Sequence, residues 1–414
     1  MKRGNIVIGQ SGGPTAVINS SLAGAIKAAH AAGIKIYGMH HGIEGLLKED
    51  IVDLSDSFSD MLDLSLLKRT PGSFLGTCRY KLPDPHKEPE VFEKIFGILD
   101  KNNIDFFLYI GGNDSMDTIA KLSDFGKLHN RRQRFIGIPK TIDNDLPITD
   151  HCPGYGSAAK FVATSMKELI RDNESYGASK PRIAVVEIMG RNAGWLTAAA
   201  ALSRDADCNG PDIICCPEIP FEFEPFLARV SEIVKTKNSV VIAVSEGLRL
   251  ADGTAVCELG NNVSPTDAFG HRQLSGCARV IANEIGSKLG YDTRAIDFSV
   301  LQRCASHMAS RFDLDEAYNV GYIGVQKALE GQNGLMVCMD VHSREPYVVT
   351  YEMVDVHFVA NIEKKMPVDW ITEDHFSVTQ DFIDYVSPFV IGIITPYYAA
   401  GVPKHMTLAS QLKK

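Results

Sequence analysis

Two carboxylates stand two residues apart in the run Pro139-Lys140-Thr141-Ile142-Asp143-Asn144-Asp145. In an extended segment that spacing points both side chains the same way. Crowded like charges need a metal, a proton or a cation to relieve them. Lys140 and Thr141 supply an ammonium group and a hydroxyl beside them, which suits contact with an anion. A general base facing a phosphoryl acceptor fits this run, and an acidic turn is the plainer alternative. Two further runs pair glycines after an apolar stretch. In Gln10-Ser11-Gly12-Gly13-Pro14-Thr15 the glycines let the backbone approach a phosphate at a helix N-terminus, or simply make a tight turn. The run matches neither G-x-x-x-x-G-K-[ST] nor G-x-G-x-x-G. In Tyr109-Ile110-Gly111-Gly112-Asn113-Asp114-Ser115 the polar trio suits either a hydrated magnesium ion or a helix cap.

Arg191, inside Glu187-Ile188-Met189-Gly190-Arg191-Asn192-Ala193-Gly194, is a permanent planar cation, able to clamp a phosphate or to sit in a surface ion pair. Glu246, in Ser245-Glu246-Gly247, offers a carboxylate for sugar hydroxyls or for a helix cap. Arg79, Arg182, Arg294 and Arg303 also stand near glycines or strand ends. With three Gly-rich strand ends, they suit a substrate carrying two or more phosphates.

The elements that must position these residues alternate between short apolar runs and helical patterns. Strands are expected at 6–9, 34–39, 105–110 and 135–138, with a helix over 17–32. The series resumes at 183–188, 212–216, 240–245 and 293–298. Strand–helix alternation predicts parallel sheets covered on both faces, in two α/β units. The segment 144–156, rich in Gly and Pro, is the expected crossover between them. Residues from about 371 onward read as extra packing on the core. Ligands of open α/β sheets bind beyond the carboxyl ends of the strands, where most of the chemistry-bearing runs fall.

The chain has 414 residues, enough for two or three domains. Its net charge of −9 excludes a sequence-wide attraction to nucleic acid or to an anionic membrane, and leaves room for local cationic pockets. The nine cysteines are odd in number and form no C-x-x-C pair. They predict neither a metal finger nor a disulfide scaffold, and a reducing cytoplasm is the expected location. No apolar stretch reaches membrane-spanning length, and no signal-peptide pattern opens the chain.

Taken together and in order, GG-P-T, PGSFLGT-x-R, GGNDS, PKTIDND, RIAVVEIMGR, SEG and T-R-x(8)-R resemble the phosphofructokinase family, from about residue 5 to about residue 370. The resemblance implies two Rossmann-like three-layer units with mostly parallel sheets and an active site in the cleft between them. It groups 1–150 with about 304–360 as the donor-binding domain, and 151–303 with about 361–414 as the sugar-phosphate domain. It implies that Asp143 is the base taking the proton from the O1 hydroxyl of fructose 6-phosphate, with Thr141 and Asp145 in the same loop. Met189, Gly190 and Arg191 match the sugar-phosphate motif, and Glu246 and Arg303 match further sugar contacts. Arg182 and Arg294 match arginines lent by a neighbouring subunit, so a homodimer or homotetramer is implied. Gly13 and Arg79 match donor-phosphate contacts, and Mg2+ is the implied cofactor, near Asn113 and Asp114.

Two positions bear on the donor. ATP-using members of the family carry glycine where this chain has Asp114 and Lys140. A carboxylate at Asp114 repels an ATP α-phosphate, while Lys140 balances charge on a departing phosphate. Both residues match the pyrophosphate-dependent branch. Two departures stand out: Asn113 replaces the usual metal-binding Asp, and Val300 replaces a His or Tyr at the sugar phosphate. An ATP-dependent kinase, a sedoheptulose 7-phosphate kinase and a non-catalytic sugar-phosphate sensor remain the alternatives.

Overall fold

The structure is a computed structural model and describes residues 4–58, 60–176, 180–260 and 275–411. In chain order the sheet strands are β1 (Asn5–Gln10), β2 (Ile36–Met39), β3 (Ile51–Asp53), β4 (Ile104–Gly111), β5 (Arg134–Pro139), β6 (Arg182–Ile188), β7 (Ile213–Cys215), β8 (Ser239–Ser245), β9 (Asp292–Asp297), β10 (Leu335–Arg344) and β11 (Tyr347–Asp355). The chain divides into two compact units. Unit 1 comprises Met1–Ser157, Arg303–Glu363 and Ile391–Lys414; unit 2 comprises Ala158–Gln302 and Lys364–Val390.

Unit 1 is built on a sheet of order β11-β10-β5-β4-β1-β2-β3. Its five central strands run parallel, and β3 and β11 close the two edges antiparallel. Alternation along the strands makes the three layers. Ile6, Ile8, Leu108, Ile110, Ile136 and Ile138 face a core that contains Ile18, Leu22 and Ile26 of the helix Ile18–Ala32 and Val320 and Val325 of the helix Arg311–Leu329. The intervening Val7, Phe107, Tyr109 and Phe135 face the opposite core. There they meet Phe92, Ile95 and Phe96 of the helix Pro89–Lys101 and Met116 and Ile119 of the helix Asn113–Leu128. Strands buried on both faces read as unbroken apolar runs, which is why they were legible in sequence.

Unit 2 carries an all-parallel sheet of order β7-β8-β6-β9. Ile183, Val185, Ile213, Ile242 and Val244 pack on Phe226 and Val230 of the helix Phe223–Ile233 and on Ile281 and Ile285 of the helix Cys277–Leu289. β9 is an edge strand with mostly exposed residues.

Several expectations need correcting. Residues 361–414 do not form one block with the sugar-phosphate domain. Lys364–Val390 belongs to unit 2, but Ile391–Lys414 belongs to unit 1. There the Met406 N–H donates to Thr70 Oγ1 (3.0 Å) and Ile394 packs on Ala16, Val17 and Leu314. The first unit boundary follows Ser157, just beyond the expected crossover. The β10–β11 hairpin and the short β3 carried no separate signal in the sequence. No helix among the described residues is long and apolar enough to cross a membrane.

The helices Ile18–Ala32 and Arg311–Leu329 touch through glycines. A Cβ on Gly24 would lie 1.9 Å from the Tyr318 carbonyl oxygen, and one on Gly321 would lie 1.9 Å from that of Ser21. Both partners are backbone, so the helices must separate to admit a methyl group. Gly24→Ala and Gly321→Ala are each expected to lower unfolding stability by about 1–3 kcal/mol, the usual cost of overpacking, measured by chemical denaturation. An unchanged midpoint would contradict this packing.

Candidate active site

Three strand ends of unit 1 meet at one group of side chains. After β1, Ser11 N–H donates to Ile110 O (2.9 Å), and Gly12 turns with φ 73°, a left-handed conformation that favours glycine. Two fully buried amides tie this turn to the loop that delivers Arg79. Gln10 Oε1 accepts from the Leu75 N–H (2.9 Å), while Gln10 Nε2 donates to Asn19 Oδ1 (2.9 Å). Asn19 Oδ1 also accepts from the Phe74 N–H, and its Nδ2 donates to the carbonyls of Thr70 and Gly72. Sequence reasoning missed both residues. The available signal was a lone Asn on the apolar face of the first helix.

Lys140 follows β5. Its N–H donates to Gly111 O (3.0 Å), and its Nζ crosses to donate to Gly13 O (2.7 Å). The side chain is buried, and desolvation brings its pKa down to about 8. Asp145 and Asp143 oppose that shift, while Arg303 and Arg79 add to it. The structure therefore gathers Gly12, Gly13, Arg79, Lys140, Asp143, Asp145 and Arg303. Arg303 was expected at the sugar phosphate. Here its guanidinium stands against Gly13, where an added Cβ would lie 3.0 Å from Nη1.

The loop after Lys140 is pinned from behind. Thr141 N–H donates to Pro153 O (3.2 Å), and Thr141 bridges Gly154 in parallel register. Thr141 Oγ1 accepts from the Asp143 N–H (3.1 Å), and its hydroxyl also bonds the Asp145 side chain. Asn144 takes a left-handed φ of 55°, tolerated by Asn, and its Oδ1 accepts from the Cys152 N–H (3.0 Å). Burial raises the pKa of Asp145, with the Thr141 bond pulling the other way.

At the start of the helix Asn113–Leu128 the N-cap position falls on Gly112, and no side chain caps it. Capping therefore does not account for Asp114 or Ser115. Ser115 packs so closely on Gly111 that a Cβ there would lie 1.8 Å from Ser115 Oγ. Asn113 Oδ1 and Nδ2 and Asp145 Oδ1 are shut off from solvent and have no hydrogen-bond partner among the described residues.

Unit 2 brings together a second group. Gly190, with φ 137°, follows β6. Ser245 Oγ donates to Gly190 O (2.6 Å), and the Glu246 N–H donates to Ile188 O (2.9 Å). The Gly190 N–H points at Glu246 Oε1 (3.4 Å). A Cβ on Gly247 would lie 1.9 Å from Arg191 O, so only glycine lets the two loops touch. The Met189 N–H donates to Oε1 of the buried Gln302 (3.1 Å), another amide that sequence reasoning passed over. Met189, Gly190, Arg191 and Glu246 thus share one strand-end site. Glu187 does not join them: its carboxylate accepts from the Gly276 and Ala278 N–H groups at the start of the helix Cys277–Leu289.

Arg182 and Arg294 are not brought to this group within the chain. Arg182 opens β6, six residue steps or about 20 Å before Ile188. Its guanidinium lies 4.0 Å from the Tyr176 ring centroid. Arg294 is exposed on the edge strand β9. Val300, beyond β9, is 47% exposed.

The phosphofructokinase family model matches residues 5–326. The chain belongs to the phosphofructokinase family. It is 42% identical to the pyrophosphate--fructose 6-phosphate 1-phosphotransferase of Halomonas elongata, over 99% of this chain and 97% of that protein. Crystal structures titled pyrophosphate-dependent phosphofructokinase, from Marinobacter aquaeolei and Nitrosospira multiformis, superpose with TM-scores of 0.85 and 0.87. Each is 36% identical and covers 97% of this chain and 95% of its own. The buried ammonium of Lys140 has a titration limit that would govern any anion it holds. Below about pH 8 it carries its proton, and above that it loses it. Pyrophosphate affinity, measured by calorimetry across that range, is expected to weaken as pH rises through about 8. Lys140→Arg, a permanent cation, should flatten that limb. A wild-type affinity independent of pH there would contradict the assignment.

Proposed function

We propose that the protein transfers a phosphoryl group reversibly between pyrophosphate and the O1 hydroxyl of fructose 6-phosphate, giving fructose 1,6-bisphosphate and phosphate. One observation carries the choice of donor. The Lys140 ammonium lies over the Gly12–Gly13 turn, bonded to Gly13 O at 2.7 Å, where ATP-using members keep glycine. A charged side chain over the glycine turn favours a short, highly charged inorganic donor. Asp114, at the start of the next helix, adds a carboxylate that repels an ATP α-phosphate. The names of the relatives described above agree with this reading.

The roles follow from position. Gly13, Arg79, Lys140 and Arg303 hold the donor and neutralise charge developing on the transferred group. Asp143 accepts the O1 proton; Thr141 holds its backbone, and Asp145 lies beside them in the same loop. Arg191, Met189, Gly190 and Glu246 hold the sugar phosphate. Mg2+ fits the oxygen donors of unit 1. The unpartnered Oδ1 atoms of Asn113 and Asp145 and the carboxylates of Asp114 and Asp143 are ligands of the type a hard cation takes. The described residues contain no group of three His, Cys, Asp or Glu placed to hold a metal. Waters and donor oxygens would then complete the shell, as is usual for this ion. When bound, it would add charge neutralisation at the donor phosphates.

Arg182 and Arg294 act on a neighbouring protomer in a homodimer or homotetramer, since neither reaches the strand-end site of its own chain. A reducing cytoplasm suits the cysteines, none of which is paired in a disulfide.

Asp143→Asn is expected to lower turnover by at least about 100-fold while leaving fructose 6-phosphate affinity within a few-fold, since a general base acts mainly in the transition state. Near-wild-type turnover would remove Asp143 from that role. Asp114→Gly combined with Lys140→Gly should give measurable ATP binding by calorimetry. Unchanged ATP binding would refute the donor argument.

A further inference from the structure

The family-matched region ends at residue 326, yet part of the chain beyond it reaches the sugar-phosphate loop of unit 2. The loop that carries Arg191 runs into Gly194 and Trp195, and both are linked to the segment Lys364–Val390, Trp195 directly and Gly194 through Glu218. Glu218 Oε1 accepts two N–H groups at once, from Gly194 (2.7 Å) and from Met366 (3.2 Å). It therefore joins the end of the Arg191 loop to the start of the C-terminal segment through one oxygen. The fit is tight, because a Cβ on Gly194 would lie 2.5 Å from Glu218 Oε2.

The next residue, Trp195, is buried in a box built from the same segment. Its Nε1–H donates to Lys364 O (3.2 Å), and the Lys364 ammonium lies 5.3 Å from its ring. Trp370 meets it edge-on at 6.0 Å, and Tyr385 stands 5.2 Å away. Trp370 and Tyr385 also contact one another at 5.2 Å. Farther along, Phe376 O accepts from the Ile214 N–H (2.8 Å), which fastens the segment to β7. A segment serving only to cover core would not need its Met366 N–H and its Lys364 carbonyl tied, through the Glu218 carboxylate and the Trp195 indole N–H, to the two residues that end a binding loop.

We propose that Lys364–Val390 is a positioning brace for the sugar-phosphate loop: through Glu218 and the Trp195–Trp370–Tyr385 box it sets where Arg191 stands. The inference rests on the reading of Arg191 as a sugar-phosphate ligand. Its consequence is selective. Loosening the brace impairs capture of fructose 6-phosphate and leaves pyrophosphate, which is held by unit 1, unaffected.

The test is steady-state kinetics on the full-length protein, with Arg191→Ala as the control for the underlying reading. Trp370→Ala and Glu218→Ala should each raise the KM for fructose 6-phosphate roughly tenfold or more, with the KM for pyrophosphate within about twofold, because small misplacements of a binding group are costly. Glu218→Gln keeps an acceptor oxygen for both N–H groups and should restore the wild-type value. Trp195 and Trp370 are the chain's two tryptophans, so intrinsic emission reports on the box itself. Fructose 6-phosphate should shift that emission in the wild-type protein, and pyrophosphate alone should not; this readout stands even if Trp370→Ala fails to fold. Emission indifferent to fructose 6-phosphate, or an unchanged sugar KM in folded Glu218→Ala, would overturn the brace. If Arg191→Ala also leaves that KM unchanged, the sugar-phosphate reading fails with it; if Arg191→Ala alone raises it, only the brace fails.

Discussion

The proposed donor site depends on holding a lysine ammonium out of water. The displacement of Lys140 from its ordinary pKa of 10.5 to about 8 means that its charge is held at a disadvantage of about 3 kcal/mol relative to water. Arg79 and Arg303 worsen that disadvantage, and Asp143 and Asp145 relieve it only in part. These five side chains carry one more positive than negative charge. Such a cluster is unfavourable when empty and becomes favourable when a compact polyanion enters. The cost borne by the free protein is thus returned on binding, which ties affinity to anion charge more than to molecular size.

Much of the surrounding architecture keeps that cluster in register. The amides of Gln10 and Asn19 hold the Arg79 loop against the first glycine turn. Asn144 and Thr141 hold the loop of Asp143 against the returning chain at Cys152 and Pro153. These bonds are buried and nearly all reach main-chain groups, so each fixes backbone, not merely a side chain. A site fixed in this way pays little to reorganise when charge moves during phosphoryl transfer.

The parts legible in sequence were those with a strong local signature. Strands covered on both faces appear as continuous apolar runs, and glycines at their ends mark close approach. The Lys140–Asp145 run was visible because its charges are crowded. What escaped depended on long-range contacts. Gln10, Asn19 and Gln302 are ordinary amides until a loop many residues away comes to rest on them. The resemblance placed Arg303 at the sugar phosphate; no local signal showed that the chain re-enters unit 1 at that residue and sets the guanidinium against Gly13. The tail from 361 onward has no periodic signal to show that it serves both units in turn.

The central claim is that the donor pocket is shaped for two linked phosphates without a nucleoside. Initial-rate assays of the purified protein with fructose 6-phosphate and magnesium, supplied with either pyrophosphate or ATP as sole donor, measure this directly. The account predicts turnover with pyrophosphate, formation of pyrophosphate in the reverse direction from fructose 1,6-bisphosphate and phosphate, and no appreciable rate with ATP. Efficient turnover with ATP, with pyrophosphate inert, would contradict it.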